Sequence, residues 1–343
     1  MEDLTEFVIP FVGLKNGQHS FEFDIDTTFF NAFEFSDFNQ AKVKVHLLFD
    51  KKVNMMNLNF SASGTVGLTC DVSNEKFDYN LNTSLDWIVK FGEASSESGS
   101  IAFESLKATT KALREQEIDV MVTAPINKKN IQNDEFNFPG HTDYLANELE
   151  GESLMFMISD NLRVGLLTDH IPVSEVARAI TPELIKQKVN KMKTSLQIDF
   201  GIAKPKIALL GINPHTGDNG VIGNEDDAVL RPTQKEIYQE GTLLFGPYAA
   251  DSFFGTDLPN QFDAVLATYH DQGLIPFKTL TFGSGVNFTA GLNKIRTSPD
   301  HGTAYDIAGK GIAGTTSFEE ALFKARAIFF NREAHEVYSE HVE

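Results

Sequence analysis

The sequence predicts an α/β fold, a doubly wound sheet preceded by a small β-rich N-terminal segment, and three observations carry that expectation. From about residue 100, short apolar runs alternate with stretches of helical period, the pattern of strands joined by crossover helices in a largely parallel sheet. In the first 80 residues apolar side chains recur instead at every second position, as in half-buried antiparallel strands. Composition shifts at the same place: of 12 prolines only Pro10 precedes residue 125, and 12 of the 29 phenylalanines fall in the first 80 residues. The chain is therefore divided at a seam near Tyr79–Thr83, into a β-rich segment (1–80) and an α/β domain (81–343).

The elements follow in order. Val43, Val45, Leu47 and Phe49 alternate with Lys42, Lys44 and His46, and the pattern recurs as Met56, Leu58, Phe60 and Ala62, then as Val66, Leu68, Cys70 and Val72. The stretch Ser95–Ser100 (SSESGS) reads as a loop. Phe103, Leu106, Thr110 and Leu113 then share one helical face. IDVMVTAP, RVGLLTD, KIALLGINP and DAVLATYH are the apolar strand candidates. Thr181-Pro182 has the form of an N-cap with proline at the first helical position. Ser317 and Glu320 are spaced as a capping box opening the final helix.

Bulk composition bounds the function. A chain of 343 residues with 41% hydrophobic content has enough apolar mass for a real core. Its net charge is −19, and no basic run exceeds Lys51-Lys52 or Lys128-Lys129. That field disfavours nucleic-acid backbones and anionic membranes, while a small anion needs only a few local donors. Cys70 is alone, so no intrachain disulfide forms. The acidic start MEDLTEFVIPFVGL has the wrong polarity for a signal peptide, and no apolar run reaches the ~20 residues of a membrane helix. A cytoplasmic protein with no membrane and no nucleic-acid partner is expected.

Three apolar runs lead straight into a histidine: LLTDH at His170, LLGINPH at His215 and VLATYH at His270. Ligands of open α/β sheets bind beyond the carboxyl ends of the strands, so the three imidazoles can meet despite their separation in sequence. Three histidines with open positions suit a catalytic divalent metal. One such histidine alone more often caps a strand; three in the same placement favour a metal. Asp169, Asp218 and Asp271 stand close by and can orient the rings or take a proton. Lys278, Asn287 and Arg296 form a second set suited to phosphate or carboxylate, although each charge singly is more often a solvated surface group. In FPGHTDY, His141 and Thr142 follow a Pro-Gly turn and offer two more donors on a loop, or simply cap that turn. No GxGxxG follows a strand, and GxSxG, HExxH and Walker motifs are missing.

At FPGHTDYL, TDHIP, LGINPHTGDNG, YHDQGLIPFK, GVNFTAGL and IRTSPDHGTAYDIAGKG the chain resembles the 4-hydroxythreonine-4-phosphate dehydrogenase family of pyridoxal phosphate biosynthesis, in order and over about 250 residues from residue 82 onward. That family is similar to the isocitrate and isopropylmalate dehydrogenases, whose cofactor loop the segment His301–Gly311 echoes. The resemblance implies a fold of that type and NAD (or NADP) bound by His301, Gly302, Thr303 and Asp306. It also implies one divalent metal (zinc, magnesium, manganese or cobalt) on His170, His215 and His270. The small phosphorylated substrate would be held by His141, Thr142, Lys278, Asn287 and Arg296, with Asp271 and Lys278 in catalysis. A homodimer sharing each metal site between subunits is implied as well. The expected reaction oxidises and decarboxylates 4-phosphooxy-L-threonine to 3-amino-2-oxopropyl phosphate.

The GDPxGIGPE-like loop with which such enzymes begin has no counterpart here. Residues 1–80 resemble instead the N-terminal part of the YceD-like family associated with large-subunit ribosomal RNA accumulation, through FVIPFVGLKNGQHSFEFDID and LNFSASGTVGLTCDVSNEKFDY. Intact metal-site residues with impaired cofactor binding and turnover are the expectation. The alternatives are a paralogous dehydrogenase of a four-carbon sugar-acid phosphate and a non-catalytic fusion that binds a ribosome-assembly partner.

Overall fold

The computed structural model describes residues 5–9, 11–32, 38–52, 55–69, 75–90, 96–307, 310 and 312–340. The chain forms two compact units, Met1–Glu93 and Ala94–Glu343.

In the first unit, β1 (Gly17–Asp26), α1 (Thr27–Ala32), β2 (Gln40–Lys51), β3 (Met55–Thr69) and β4 (Lys76–Lys90) follow two short 3-10 turns. The strands make an antiparallel sheet in the order β1-β2-β3-β4. Register explains the alternation: Leu47 faces Phe60, Phe49 faces Leu58 and Phe23 faces Val45, so the alternate apolar residues share one face. Val43, Leu47, Phe49, Met56, Leu58 and Val66 are buried there. The two runs Met56–Ala62 and Val66–Leu68 are parts of the single strand β3, while Cys70 and Val72 lie outside the described residues.

The seam expected near residue 80 falls instead after residue 93. Asn80, Asn82, Ser84 and Asp86 look like a polar linker, yet they alternate with Leu81, Leu85 and Trp87 along β4. Pairing with β3 runs through this stretch, with Leu81 opposite Gly64, Leu85 opposite Phe60 and Trp87 opposite Leu58.

The second unit contains α2 (Ser96–Arg114), β5 (Val120–Val122), α3 (His141–Glu148), β6 (Gly151–Ile158), β7 (Arg163–Leu166), α4 (Val173–Ala179), α5 (Pro182–Ile198) and β8 (Ile207–Leu210). After a 3-10 turn at Pro214–Gly217, one π-turn (Asp226–Leu230) leads into α6 (Arg231–Gln239). Then come β9 (Leu244–Tyr248), α7 (Ala250–Phe254), β10 (Ala264–Ala267), α8 (His270–Thr281), β11 (Val286–Leu292), β12 (Ile295–Pro299) and α9 (Thr316–Glu340). Their eight strands form one sheet in the order β5-β12-β11-β6-β7-β10-β8-β9.

The α/β expectation holds, with one difference. The β7-β10-β8-β9 half is parallel, whereas β6 pairs antiparallel with β7 and with β11, and β11 with β12. Apolar runs do not encode strand direction, so the mixed sheet was out of reach of the pattern. Both faces are covered. Ile207, Leu209, Leu266, Ile185 and Met192 belong to one core, and Val164, Leu210, Val265, Leu274 and Phe277 to another.

Local expectations divide. Thr181 caps α5, its side chain accepting from the Leu184 N–H, with Pro182 at the first helical position. Phe103, Leu106, Thr110 and Leu113 all face inward. Of the SSESGS segment read as a loop, Ser96–Ser100 instead open α2, and Ser95 lies outside the described residues. Gly99 allows the close approach: an added Cβ would sit 1.7 Å from the Asn130 carbonyl oxygen, so only glycine lets the helix come this near that strand-end loop. The Ser317 hydroxyl, at the start of α9, donates to the Gly285 carbonyl and accepts from the Asp300 N–H. Among the described residues no helix is long and apolar enough to cross a membrane.

Candidate active site

The adjacent parallel strands β7, β10 and β8 are in register, Val164 beside Val265 and Leu209 beside Leu266. Their carboxyl ends therefore open at one edge of the sheet. His170 follows β7 and His270 opens α8 after β10, and the two rings lie 5.9 Å apart between centroids at 40°. His270 is oriented by its neighbour, with Nδ1 2.7 Å from Asp271 Oδ1. When Nδ1 donates to that carboxylate, Nε2 keeps its lone pair for a cation.

His215 is placed differently. It stands on a loop whose backbone is left-handed at His215, Thr216, Asp218 and Asn219. The buried Asp226 carboxylate holds this loop, accepting from the N–H groups of Ile212 (2.9 Å) and Asn213 (3.0 Å) and from Asn213 Nδ2 (3.0 Å). Arg231 Nη2 donates to Thr216 Oγ1 at 2.8 Å. His170 and His270 line a cavity of about 420 Å³, and His215 does not. Among the described residues no three His, Cys, Asp or Glu side chains are grouped closely enough to hold a metal ion. Within one chain, two of the three expected ligands meet and the third stands apart.

The same cavity takes in His141, Thr142, Lys278, Asn287, Arg296 and Asp271. His141 and Thr142 sit not on a loop but in the first turn of α3, behind Gly140. Burial, then the charges of Arg296 and Lys128, push the His141 pKa down to about 3. The ring is neutral near pH 7 and offers one N–H without adding charge.

Arg296, on β12, is 3% exposed. Its Nε and Nη2 donate to Thr123 Oγ1 at 3.0 and 2.6 Å, and Nη1 to Thr289 Oγ1 at 3.3 Å. Burial lowers its pKa to about 9, and no carboxylate pairs with it among the described residues. A buried cation held by neutral hydroxyls retains most of its desolvation penalty until an anion arrives. Asn287, across the β11–β12 ladder from Ser298, has its side-chain oxygen buried without a hydrogen-bond partner. That unmet acceptor also calls for a ligand.

Lys278 Nζ donates to the Asp300 carbonyl at 2.6 Å, leaving two of its three donors for the cavity. Of the residues expected to bind a nicotinamide cofactor, His301 and Gly302 line the cavity, while Thr303 and Asp306 lie farther along the same loop. The motif's Ala308, Gly309 and Gly311 lie outside the described residues.

Sequence reasoning missed Thr123, which positions Arg296, and Lys128, which lines the cavity. Lys128 is half of a Lys-Lys pair and looked like surface. The available signal was its place in the loop just beyond the end of β5, the same strand-end rule that found the histidines.

The family model described as pyridoxal phosphate biosynthetic protein PdxA matches residues 36–325. The chain belongs to the PdxA family. The match starts inside the β-rich unit, ahead of the residue-82 start expected from the motifs. Among PdxA relatives, the 4-hydroxythreonine-4-phosphate dehydrogenase of Bacteroides thetaiotaomicron is 49% identical over 247 residues, covering 71% of this chain and 68% of that protein. The enzyme of the same name from Sulfurihydrogenibium sp. is 45% identical over 239 residues, with 69% and 73% covered. Solved PdxA-type structures agree in fold: that of the Klebsiella pneumoniae 4-hydroxythreonine-4-phosphate dehydrogenase has a TM-score of 0.62 at 33% identity, covering 70% of this chain and 73% of that one. A terephthalate 1,2-cis-dihydrodiol dehydrogenase from Burkholderia xenovorans superposes with a TM-score of 0.51 at 25% identity, over 69% and 75% of the two chains.

Proposed function

We propose that this PdxA protein oxidises and decarboxylates 4-phosphooxy-L-threonine to 3-amino-2-oxopropyl phosphate with NAD or NADP as hydride acceptor. One observation carries the reading. The cavity that pairs two imidazoles also holds a buried guanidinium and an amide oxygen that, among the described residues, have no counter-carboxylate and no donor. A phosphorylated amino acid supplies both missing partners.

His170 and the carboxylate-held His270 fit as two ligands of a divalent ion, zinc, magnesium, manganese or cobalt, and His215 is assigned as the third. Such an ion supplies Lewis-acid polarisation of a substrate hydroxyl. Asp271, with Oδ1 engaged by His270, uses Oδ2 to accept the hydroxyl proton. A bound nicotinamide would supply the hydride acceptor, and the resulting ketone would lie β to the carboxylate. Loss of carbon dioxide leaves an enolate, which takes up one proton. Arg296, Lys278, Asn287, His141 and Thr142 hold the anionic and polar groups, so that binding is converted into orientation. His301, Gly302, Thr303 and Asp306 are assigned to the cofactor.

A homodimer that shares each metal site fits the position of His215. Exposed apolar side chains follow each ligand candidate in the sequence: Val173 after His170, Val221 and Ile222 after His215, and Ile275 after His270. We assign the β-rich unit as a separate domain, keep the YceD-like resemblance of residues 1–80 as a reading of that unit, and place the protein in the cytoplasm. Turnover below that of the relatives is expected.

The decisive measurement is reduction of NAD and of NADP by the purified full chain with 4-phosphooxy-L-threonine, after chelation and after return of each candidate metal. Metal-dependent reduction with release of one carbon dioxide per hydride supports the assignment. Absence of reduction under all these conditions overturns it.

A further inference from the structure

Lys128 is a cation of this cavity to which the proposed reaction has given no task. It lies beyond β5 in a loop whose backbone is tied down on both sides. Asn127 Oδ1 accepts from the N–H groups of Lys129 (3.1 Å) and Asn130 (3.0 Å). Gln132 Nε2 donates at 3.0 Å to the Lys128 carbonyl and at 2.9 Å to the Phe138 carbonyl. One amide therefore fixes the lysine backbone relative to the segment leading into α3, where His141 and Thr142 sit.

The side chain points the same way. A Cβ added at Gly140 would have a single neighbour within 4 Å, Lys128 Cε at 3.8 Å, so the lysine stem passes over the glycine that precedes His141. Lys128 and Arg296 are also the two charges that depress His141, which brings three nitrogen groups to one part of the wall. No carboxylate pairs with Lys128 among the described residues. Two cations facing one neutral donor repel each other in the free protein. They are reconciled by an anion carrying more than one negative charge, and among the substrate's groups only the phosphate monoester does so near neutral pH.

We propose that Lys128 contacts the substrate's phosphate directly, together with Arg296, and thereby sets the preference for the phosphorylated acid over its free alcohol. This rests on the function proposed above and adds a residue to it.

Calorimetric titration of the full chain tests it, with 4-phosphooxy-L-threonine, 4-hydroxy-L-threonine and inorganic phosphate as probes of the wild type, Lys128→Ala, Lys128→Arg and Lys129→Ala. Lys128→Ala should weaken the phosphorylated acid and inorganic phosphate by about 10- to 100-fold, in keeping with a charge-assisted bond. The unphosphorylated acid should be unaffected, Lys128→Arg should recover most of the loss, and Lys129→Ala should show none. Unchanged affinity in Lys128→Ala, with its melting curve intact, overturns the proposal, as does equal loss for the two acids. If the wild type turns over no substrate yet binds inorganic phosphate through Lys128, the reaction is wrongly assigned and the contact stands. A wild type that binds no phosphate removes the contact.

Discussion

His141 lines the cavity, and its surroundings also bear on stability. Its ring is buried beside Arg296 and Lys128 and holds no proton until the pH falls to about 3, whereas an unfolded histidine takes one up near 6.5. Between these values the unfolded state binds the extra proton, so stability is complete above about 6.5 and drains away as the pH falls toward 3. The slope from this one group reaches about 1.4 kcal/mol per pH unit. His141→Gln should flatten urea-unfolding free energies measured between pH 4 and 7 by up to that slope; an unaltered profile would show that the ring takes up its proton normally. Arg296 shows the limit of reading single residues. The sequence singled it out as a candidate for an anion, and it lines the cavity. Its burial by Thr123 and Thr289 was not, because the pairing of β12 with β5 and β11 joins positions far apart in the chain.

At the level of elements, what the sequence made plain was whatever depends on local apolar order. β8 and β10 are fully apolar runs and β7 is apolar after Arg163, and their histidine ends followed from the runs themselves. The α2 start was misread, since its small polar residues look like a loop, and the close approach of Gly99 to Asn130 is not visible in the sequence. This contact reverses an ordinary substitution rule. Gly→Ala in a helix interior normally stabilises by about 1 kcal/mol. Here the new Cβ meets backbone atoms of Asn130 and Ile131, and Gly99→Ala should destabilise by roughly 1–3 kcal/mol, as overpacking does. A lower urea midpoint with an unchanged m-value is the expected result. A raised midpoint would mean that α2 does not press on that loop. His215 escaped local reasoning for a related reason: a strand-end rule gives the edge of the sheet on which a residue emerges, not the direction of a left-handed loop clamped by Asp226.

For the whole molecule, the acidic balance and the lack of basic runs disfavour polyanionic partners without choosing one, and the fold class followed from the alternation of elements. The compact units part after residue 93, because β4 carries its alternation and its pairing with β3 through the stretch where the composition shift had put the seam.

The separation of His215 from the other two imidazoles has a genetic consequence if two subunits complete each site. His215→Ala and His270→Ala damage different halves of a composite centre. Each homodimer would be dead, but a mixed pair would carry one intact centre. Random reassociation of equal amounts would then restore about a quarter of wild-type activity. A mixture of His170→Ala and His270→Ala, whose lesions fall in the same half, would restore nothing. Equal silence from both mixtures would mean that each polypeptide works for itself.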